Sequence, residues 1–474
     1  MKRLPSSYLA PLLWLIFFVA GAYVLRFGYS QHLFAPPAPG TDQKSILECA
    51  LALAHGELPH GQYRYSYGYT AFLSLAALLS GGRLWLMRLI QLAVAALIPC
   101  VVFRTARMLR CGRGASFAAG LLCCFYAPLV LISLDFLRAA PLALAFALLA
   151  HAVAAYFFPM PRKRSRDLRI PAFAAGIFAA LCILGRENFL AAAPLPLLFL
   201  RRRDAAVFLA AAALPLAAVI CFNGWRYGSF QLVPGNAGNI LDYYGGSGAG
   251  RVAALKNLLA AVPRNFADFC SSYELHNSLS VYAHREVIPF LRLLAVPFPL
   301  LLALGTLGAA LRCRRGGAFT PIALMALFYM GSMLFFTVFY RFRIPLTPLL
   351  AILAAGAAAP LRRLWRQGRR GTLFGIAAAL LAFLWIAHTD PDTRRLESER
   401  AAVAGVLIAN DRFGEAESYL AAMAARGENA RPGVRLLLLR MLRAGETGEA
   451  ERVAARFAAL PQSSPAAAAG SSAH

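Results

Sequence analysis

The chain has 474 residues, 59% of them hydrophobic and 15% charged, with a formal net charge of +26. Soluble domains carry about 25% charged residues, so this composition and a mean hydropathy of +0.58 exclude an ordinary water-soluble fold. The basic residues sit in short clusters between apolar stretches, not along one soluble face, which argues against nucleic-acid binding and for membrane edges.

In chain order, Lys2-Arg3 precedes the apolar stretch 8–25, and no small-residue cleavage pattern follows. An uncleaved first span is therefore expected rather than a signal peptide. A spanning helix needs about 20 mainly apolar residues, because lipid offers no partner for free backbone groups. Three apolar stretches are longer than one span, and each is interrupted: 115–158 near Asp135 and Arg138, 170–200 near Arg186 and Glu187, and 319–360 near Arg341, Arg343 and Pro345. Each interruption is read as the tip of a helical hairpin. The stretch 170–200 is short for two full spans, so that pair is expected to be tilted or incomplete.

Flanking charge sets the orientation. Arginines cluster at 104–113, 162–169, 201–203, 312–315 and 362–370, and the positive-inside rule puts all of these in the cytoplasm. The chain then crosses twice between neighbouring clusters. This assigns the three charged tips to the outer face, with the long segments 27–83 and 223–288. The expected fold is all-α: a polytopic transmembrane bundle of about eleven spans, with the N-terminus cytoplasmic and the C-terminus outside.

After a last span near 372–387 the composition turns to Ala, Glu and Arg. Gly414-Glu415-Ala416 recurs as Gly448-Glu449-Ala450, 34 residues later, a period like that of tetratricopeptide repeats. An ordinary alanine-rich helical hairpin fits equally well. The expected division is a transmembrane domain over 1–390, a helical extracytoplasmic segment over 391–460 offering a surface to a protein partner, and a disordered tail over 461–474.

Ionisable groups at membrane depth are costly, which makes the outer-face charges candidate functional groups. Asp42 follows the Pro- and Gly-rich run 36–40. It is read either as a helix cap or as a general base that takes a proton from an acceptor hydroxyl. Tyr63, Tyr65, Tyr67 and Tyr69 alternate just downstream, as an aromatic belt or as a sugar- or lipid-contacting surface, for which Tyr65 and Tyr67 are singled out. Asp135 is a second candidate catalytic acid, although its spacing to Arg138 also fits mutual neutralisation on a helix. Arg341 and Arg343, with Arg186, offer planar donors for the phosphate of a lipid carrier; snorkelling at the interface is the alternative. Glu187, Asn236 and Asn239, the last two in a Gly-rich loop with Asp242, are candidate substrate-binding residues. No metal-ligand set and no nucleotide-binding motif is present, though a divalent metal is left open. Cys49 and Cys270 fall outside in this topology and are able to pair in an oxidising compartment.

Several of these segments, in this order, resemble the GT-C superfamily of polytopic glycosyltransferases, which includes protein O-mannosyltransferases and aminoarabinose transferases of lipid A. They are Asp42 with "LALAHGELP" and "YSYGYTAFLSLAALLSG", Asp135, "AGIFAALCILGRENFL", "FNGWRYGSFQLVPGNAGN" and "YRFRIPLTPLLAILAA". The last is the most specific, similar to the superfamily's Arg-Tyr-Arg-Leu-Pro segment. The resemblance covers roughly residues 7–360. It implies an integral protein of the plasma (bacterial inner) membrane, with a polyprenyl-phosphate sugar as donor, a protein or glycolipid acceptor and inverting transfer outside the cytoplasm. It implies Asp42 as the catalytic carboxylate and Arg341 and Arg343 as the phosphate-handling region. Two positions depart from the pattern: Gln43 stands where an acidic neighbour is usual, and Arg186-Glu187 where Arg-Pro is usual. A lipid-carrier flippase and a membrane scaffold are the rival readings. The first predicts midplane charges and inverted repeats, neither of which is evident.

Overall fold

The computed structural model describes residues 6–30, 34, 37, 42–57, 67–158, 168–228, 230, 232, 251–274, 281–313, 317–335, 338–388, 400–401, 403–405, 407–409 and 411–458. Among them the secondary structure is helical, apart from one isolated antiparallel bridge between Tyr126 and Ala295. The principal helices are α1 (Leu9–Ser30), α2 (Asp42–Ala54), α3 (Tyr67–Ser80), α4 (Leu84–Ala95), α5 (Leu97–Met108), α6 (Arg113–Cys124), α7 (Ala127–Ile132), α8 (Ala139–Phe157), α9 (Arg169–Gly185) and α10 (Arg202–Tyr227). They continue as α11 (Arg251–Cys270), α12 (Val281–Val287), α13 (Phe298–Arg312), α14 (Phe319–Met333), α15 (Tyr340–Arg343), α16 (Thr347–Arg366), α17 (Arg370–Ile386), α18 (Phe413–Ala425), α19 (Arg431–Arg443) and α20 (Thr447–Ala458).

The chain divides into two compact units. One comprises Met1–Leu25, Pro36–Leu279 and Phe290–Thr389; the other comprises Arg26–Ala35, Ser280–Pro289 and Asp390–His474.

The first unit is a helical bundle of membrane type. Among the described residues five helical stretches are long and apolar enough to cross a membrane: Leu9–Ser30, Leu84–Met108, Ala139–Phe157, Arg202–Tyr227 and Tyr340–Arg366. Seven shorter apolar helices accompany them, so the expected eleven or so crossings are not all met by full-length helices. The reasons are local. In 170–200 only α9 is α-helical; Glu187–Ala191 and Leu195–Phe199 are 3-10 turns, with Pro194 and Pro196 removing backbone donors. Likewise Pro345 sits in the 3-10 turn Ile344–Leu346 that joins α15 to α16. Two of the expected breaks occur where their charges stand, between α7 and α8 and after α9, whereas the third falls earlier than expected, between Met333 and Tyr340, so that Arg341, Arg343 and Pro345 head the helical stretch Tyr340–Arg366.

Close packing in this unit relies on glycine where helices cross. A Cβ on Gly308 of α13 would collide with the carbonyl oxygen of Leu353 in α16, and one on Gly176 of α9 with that of Phe208 in α10. Membrane helices lack a hydrophobic drive to associate, so such backbone approach supplies van der Waals contact instead.

The segments read as long outer loops are also partly helical. They contain α2, α3, α11 and α12.

In the second unit α18, α19 and α20 follow one another through turns at Gly427 and Gly445, both at positive φ, where glycine is favoured. Helices α18 and α20 begin 34 residues apart with α19 between them, the spacing of the recurring Gly-Glu-Ala. Glu417, nearly buried, meets Arg452 and Arg456 at 2.6 Å each, tying α18 to α20. Arg400 pairs with both Glu286 of α12 and Glu428.

Candidate functional site

Asp42 is the first residue of α2. The inward face of that helix, with Ile46, Leu47 and Ala50, packs on Tyr69, Leu73 and Ala77 of α3 and on Met87 and Phe136. A row of apolar side chains at helical spacing thus holds the helix by one face. The carboxylate, 42% exposed, is left at its open end and meets Arg341 Nη1 at 3.2 Å.

Arg341 belongs to the turn of α15 and lines a cavity of about 990 Å³. Its lining includes the polar or charged Arg138, Arg186, Glu187, Asn188 and Arg341 together with Phe342, Leu190, Val262, Leu327, Phe328, Leu334 and Phe335, and is mostly apolar. A recess of about 20 Å³, room for roughly one water, lies against the same three arginines and is lined by Asp42 and Ile46. Arg138, Arg186 and Arg341 therefore stand between the large cavity and the Asp42 carboxylate.

Aromatic groups fix these guanidiniums. The Arg186 guanidinium lies 3.8 Å from the centroid of Phe342, and that of Arg341 lies 5.3 Å from it. One ring thus faces two cations, each contact contributing about 0.5–2 kcal/mol. Below it, Tyr329 donates to the Phe342 carbonyl at 3.0 Å and packs on Phe189 and Phe146. The Arg341 Nε is buried and has no acceptor among the described residues. A buried donor without a partner is costly.

Of the residues singled out in the sequence, the structure brings together Asp42, Arg186, Glu187 and Arg341. It adds Arg138, whose charge neighbours are Glu187, Arg341 and Asp42. The expected pairing of Arg138 with Asp135 assumed a helix, but the backbone leaves helix at Ile132 and resumes at Ala139. Asp135 is buried away from the cavity lining: its Oδ2 accepts from Gln43 Nε2 at 3.0 Å and its Oδ1 from the Phe136 amide at 2.9 Å. Nor does Arg343 reach the cavity. It is fully buried, donates to the carbonyls of Ser271 and Asp268, and lies 3.5 Å from Glu274 Oε2. Tyr67 donates to Asn223 and is absent from the lining. Tyr65, Asn236, Asn239 and Asp242 lie outside the described residues. Cys49 and Cys270 are free thiols, so the disulfide contemplated from the sequence is not formed; Cys49 has the Glu48 charge as a neighbour and Cys270 that of Arg343.

No group of three His, Cys, Asp or Glu side chains is gathered among the described residues. Arg138, Arg186 and Arg341 line the cavity beside the carboxylate of Glu187, a donor set that suits a phosphate.

Neither a protein-family model nor a curated protein matches the sequence. Solved structures do. The Archaeoglobus fulgidus oligosaccharyltransferase in its apo form is 12% identical over 81% of this chain with a TM-score of 0.47, and the chain spans 57% of that enzyme's length. The same archaeon's oligosaccharyltransferase AglB, in complex with an inhibitory peptide and a dolichol-phosphate, is 12% identical over 86% of this chain and 59% of its own, with a TM-score of 0.42. ArnT from Cupriavidus metallidurans bound to undecaprenyl phosphate is 19% identical over 95% of this chain and 81% of its own, with a TM-score of 0.40.

Proposed function

We propose that the protein is a membrane glycosyltransferase that moves a sugar from a polyprenyl-phosphate donor to an acceptor hydroxyl or amine on the extracytoplasmic face. The observation that carries this reading is the trio Arg138, Arg186 and Arg341, standing between an apolar-walled cavity of about 990 Å³ and the carboxylate of Asp42. A lipid phosphate has matching chemistry: a long apolar chain for the wall and an anionic head for the guanidiniums. Arg343, fully buried, is left out of this phosphate site, and Asp135 out of catalysis.

Transfer then follows from the layout. Asp42 accepts the acceptor's proton as its oxygen or nitrogen forms a bond to the sugar's anomeric carbon from the side opposite the phosphate, with inversion. The bond from that carbon to the phosphate oxygen breaks with its electron pair, and the three guanidiniums stabilise the charge that develops. The Asp42–Arg341 pair is half-exposed on its acid side, so holding it is worth only about 0–1 kcal/mol. An arriving phosphate can therefore compete for Arg341 and release Asp42 to act as base. Glu187, beside the arginines, is assigned to the sugar hydroxyls. By the positive-inside rule the N-terminus is cytoplasmic, with the site and the C-terminal unit outside.

The test is Asp42→Asn in purified, reconstituted protein supplied with a radiolabelled polyprenyl-phosphate sugar. Transfer should fall by at least about a hundredfold with donor binding and membrane insertion retained. Wild-type transfer by this variant would reject the reading.

A further inference from the structure

The second unit exposes three large apolar side chains among its described residues, and all three lie on α19: Leu436, Leu439 and Leu442, at 48%, 48% and 51% exposure. The inward side of α19 is already satisfied by Val434, Leu437 and Met441, all buried. At 100° per residue the three leucines fan across about a third of the helix circumference. Arg435 and Arg443 interleave with them, and Arg431 and Arg440 stand at the margins. The helix carries no acidic residue.

A leucine fan interleaved with arginines is poorly suited to open water and well suited to a boundary where apolar chains meet anionic groups. There the leucines leave water while the arginine stems extend their guanidiniums to the phosphates. The charge of α19 selects an anionic partner. Chain connectivity selects which one: the apolar helix α17 ends at Ile386 and the next described helical residue is Arg400. That stretch reaches at most about 50 Å when fully extended, so the unit is held near the headgroups at high effective concentration. We propose that the exposed face of α19 docks on an anionic lipid surface.

The experiment uses the full-length protein in nanodiscs of phosphatidylcholine with and without phosphatidylglycerol, reading hydrogen–deuterium exchange across 431–443. Exchange should slow severalfold when phosphatidylglycerol is present. Joint Leu436→Gln, Leu439→Gln and Leu442→Gln should remove that difference, with exchange in α18 and α20 unchanged as the check on folding. Replacing Arg431, Arg435 and Arg443 by Gln should do the same. Equal exchange in the two lipids overturns the proposal. Protection that instead follows protein concentration in detergent also overturns it, in favour of a second copy covering the leucines.

Discussion

Gln43 Nε2 donates to Asp135 Oδ2 at 3.0 Å in a buried contact that joins the start of α2 to the break before α8. One residue earlier, Asp42 faces Arg341. The two acids, first and second candidates in the sequence, thus have opposite surroundings, and substitution should separate them. Asp135→Asn keeps an amide oxygen that can still accept from Gln43, so fold and transfer should be nearly retained. Asp135→Ala leaves Gln43 without its acceptor and should cost about 1–3 kcal/mol of stability. Thermal unfolding in detergent beside a transfer assay checks this; loss of transfer in Asp135→Asn at unchanged stability would restore Asp135 to catalysis.

Arg341 and Arg343 also part company. Arg341→Lys keeps the charge at the cavity but loses the planar fork, so donor affinity should fall by about tenfold while the melting temperature holds. Arg343→Met instead breaks the buried contact with Glu274, which costs about 3–5 kcal/mol, so the protein should lose stability before any change in donor affinity is measurable. Equilibrium donor binding and unfolding on both variants decide the assignment.

These contrasts show what a chain of letters conveys and what it conceals. Arg186, Glu187 and Arg341 were legible because charge is rare in apolar surroundings and each sits where an apolar stretch breaks, and Asp42 because it follows a Pro- and Gly-rich run at the start of a helix. Which of two arginines in Arg341-Phe342-Arg343 faces the cavity was not legible: the turn rotates residues two apart by about 200°, and only the neighbours of each side identify the cavity. Arg138 was discounted through a helical spacing to Asp135 that the backbone between Ile132 and Ala139 does not follow. The polar network that holds Asp135, in which Gln91 donates to the carbonyls of Ser133 and Asp135, joins residues more than forty apart. No local pattern announces such a link.

Helix crossing supplies a prediction independent of function. A side chain at Gly308 meets the backbone of Leu353, which cannot move aside as a flexible side chain would. Gly308→Val should therefore cost at least about 3 kcal/mol and sharply lower the yield of monodisperse protein. Gly375 in α17 has nothing within 4 Å of a Cβ, so Gly375→Ala should be neutral or slightly stabilising. Size-exclusion profiles and thermal midpoints of the two variants make the comparison; similar behaviour would remove the crossing at Gly308 as a determinant of packing.

The second unit should respond to acid through Glu417. Hydrogen bonds from Arg452, then from Arg456, hold this carboxyl below the usual carboxylate range. A depressed folded-state pKa means that the pair's stabilisation is fully present above the ordinary value of about 4.3 and is lost as the pH falls through the lower folded value. Hydrogen exchange of α18 and α20 in the full-length protein should therefore accelerate as pH, corrected for its intrinsic effect on exchange, drops from about 6 to about 3. In Glu417→Gln the charge is gone at every pH, so both helices should exchange faster at about pH 6 and show a shallower acid dependence. An unaltered acid profile in that variant would mean that other carboxylates, such as Glu286 and Glu428 on Arg400, govern the acid response of the unit.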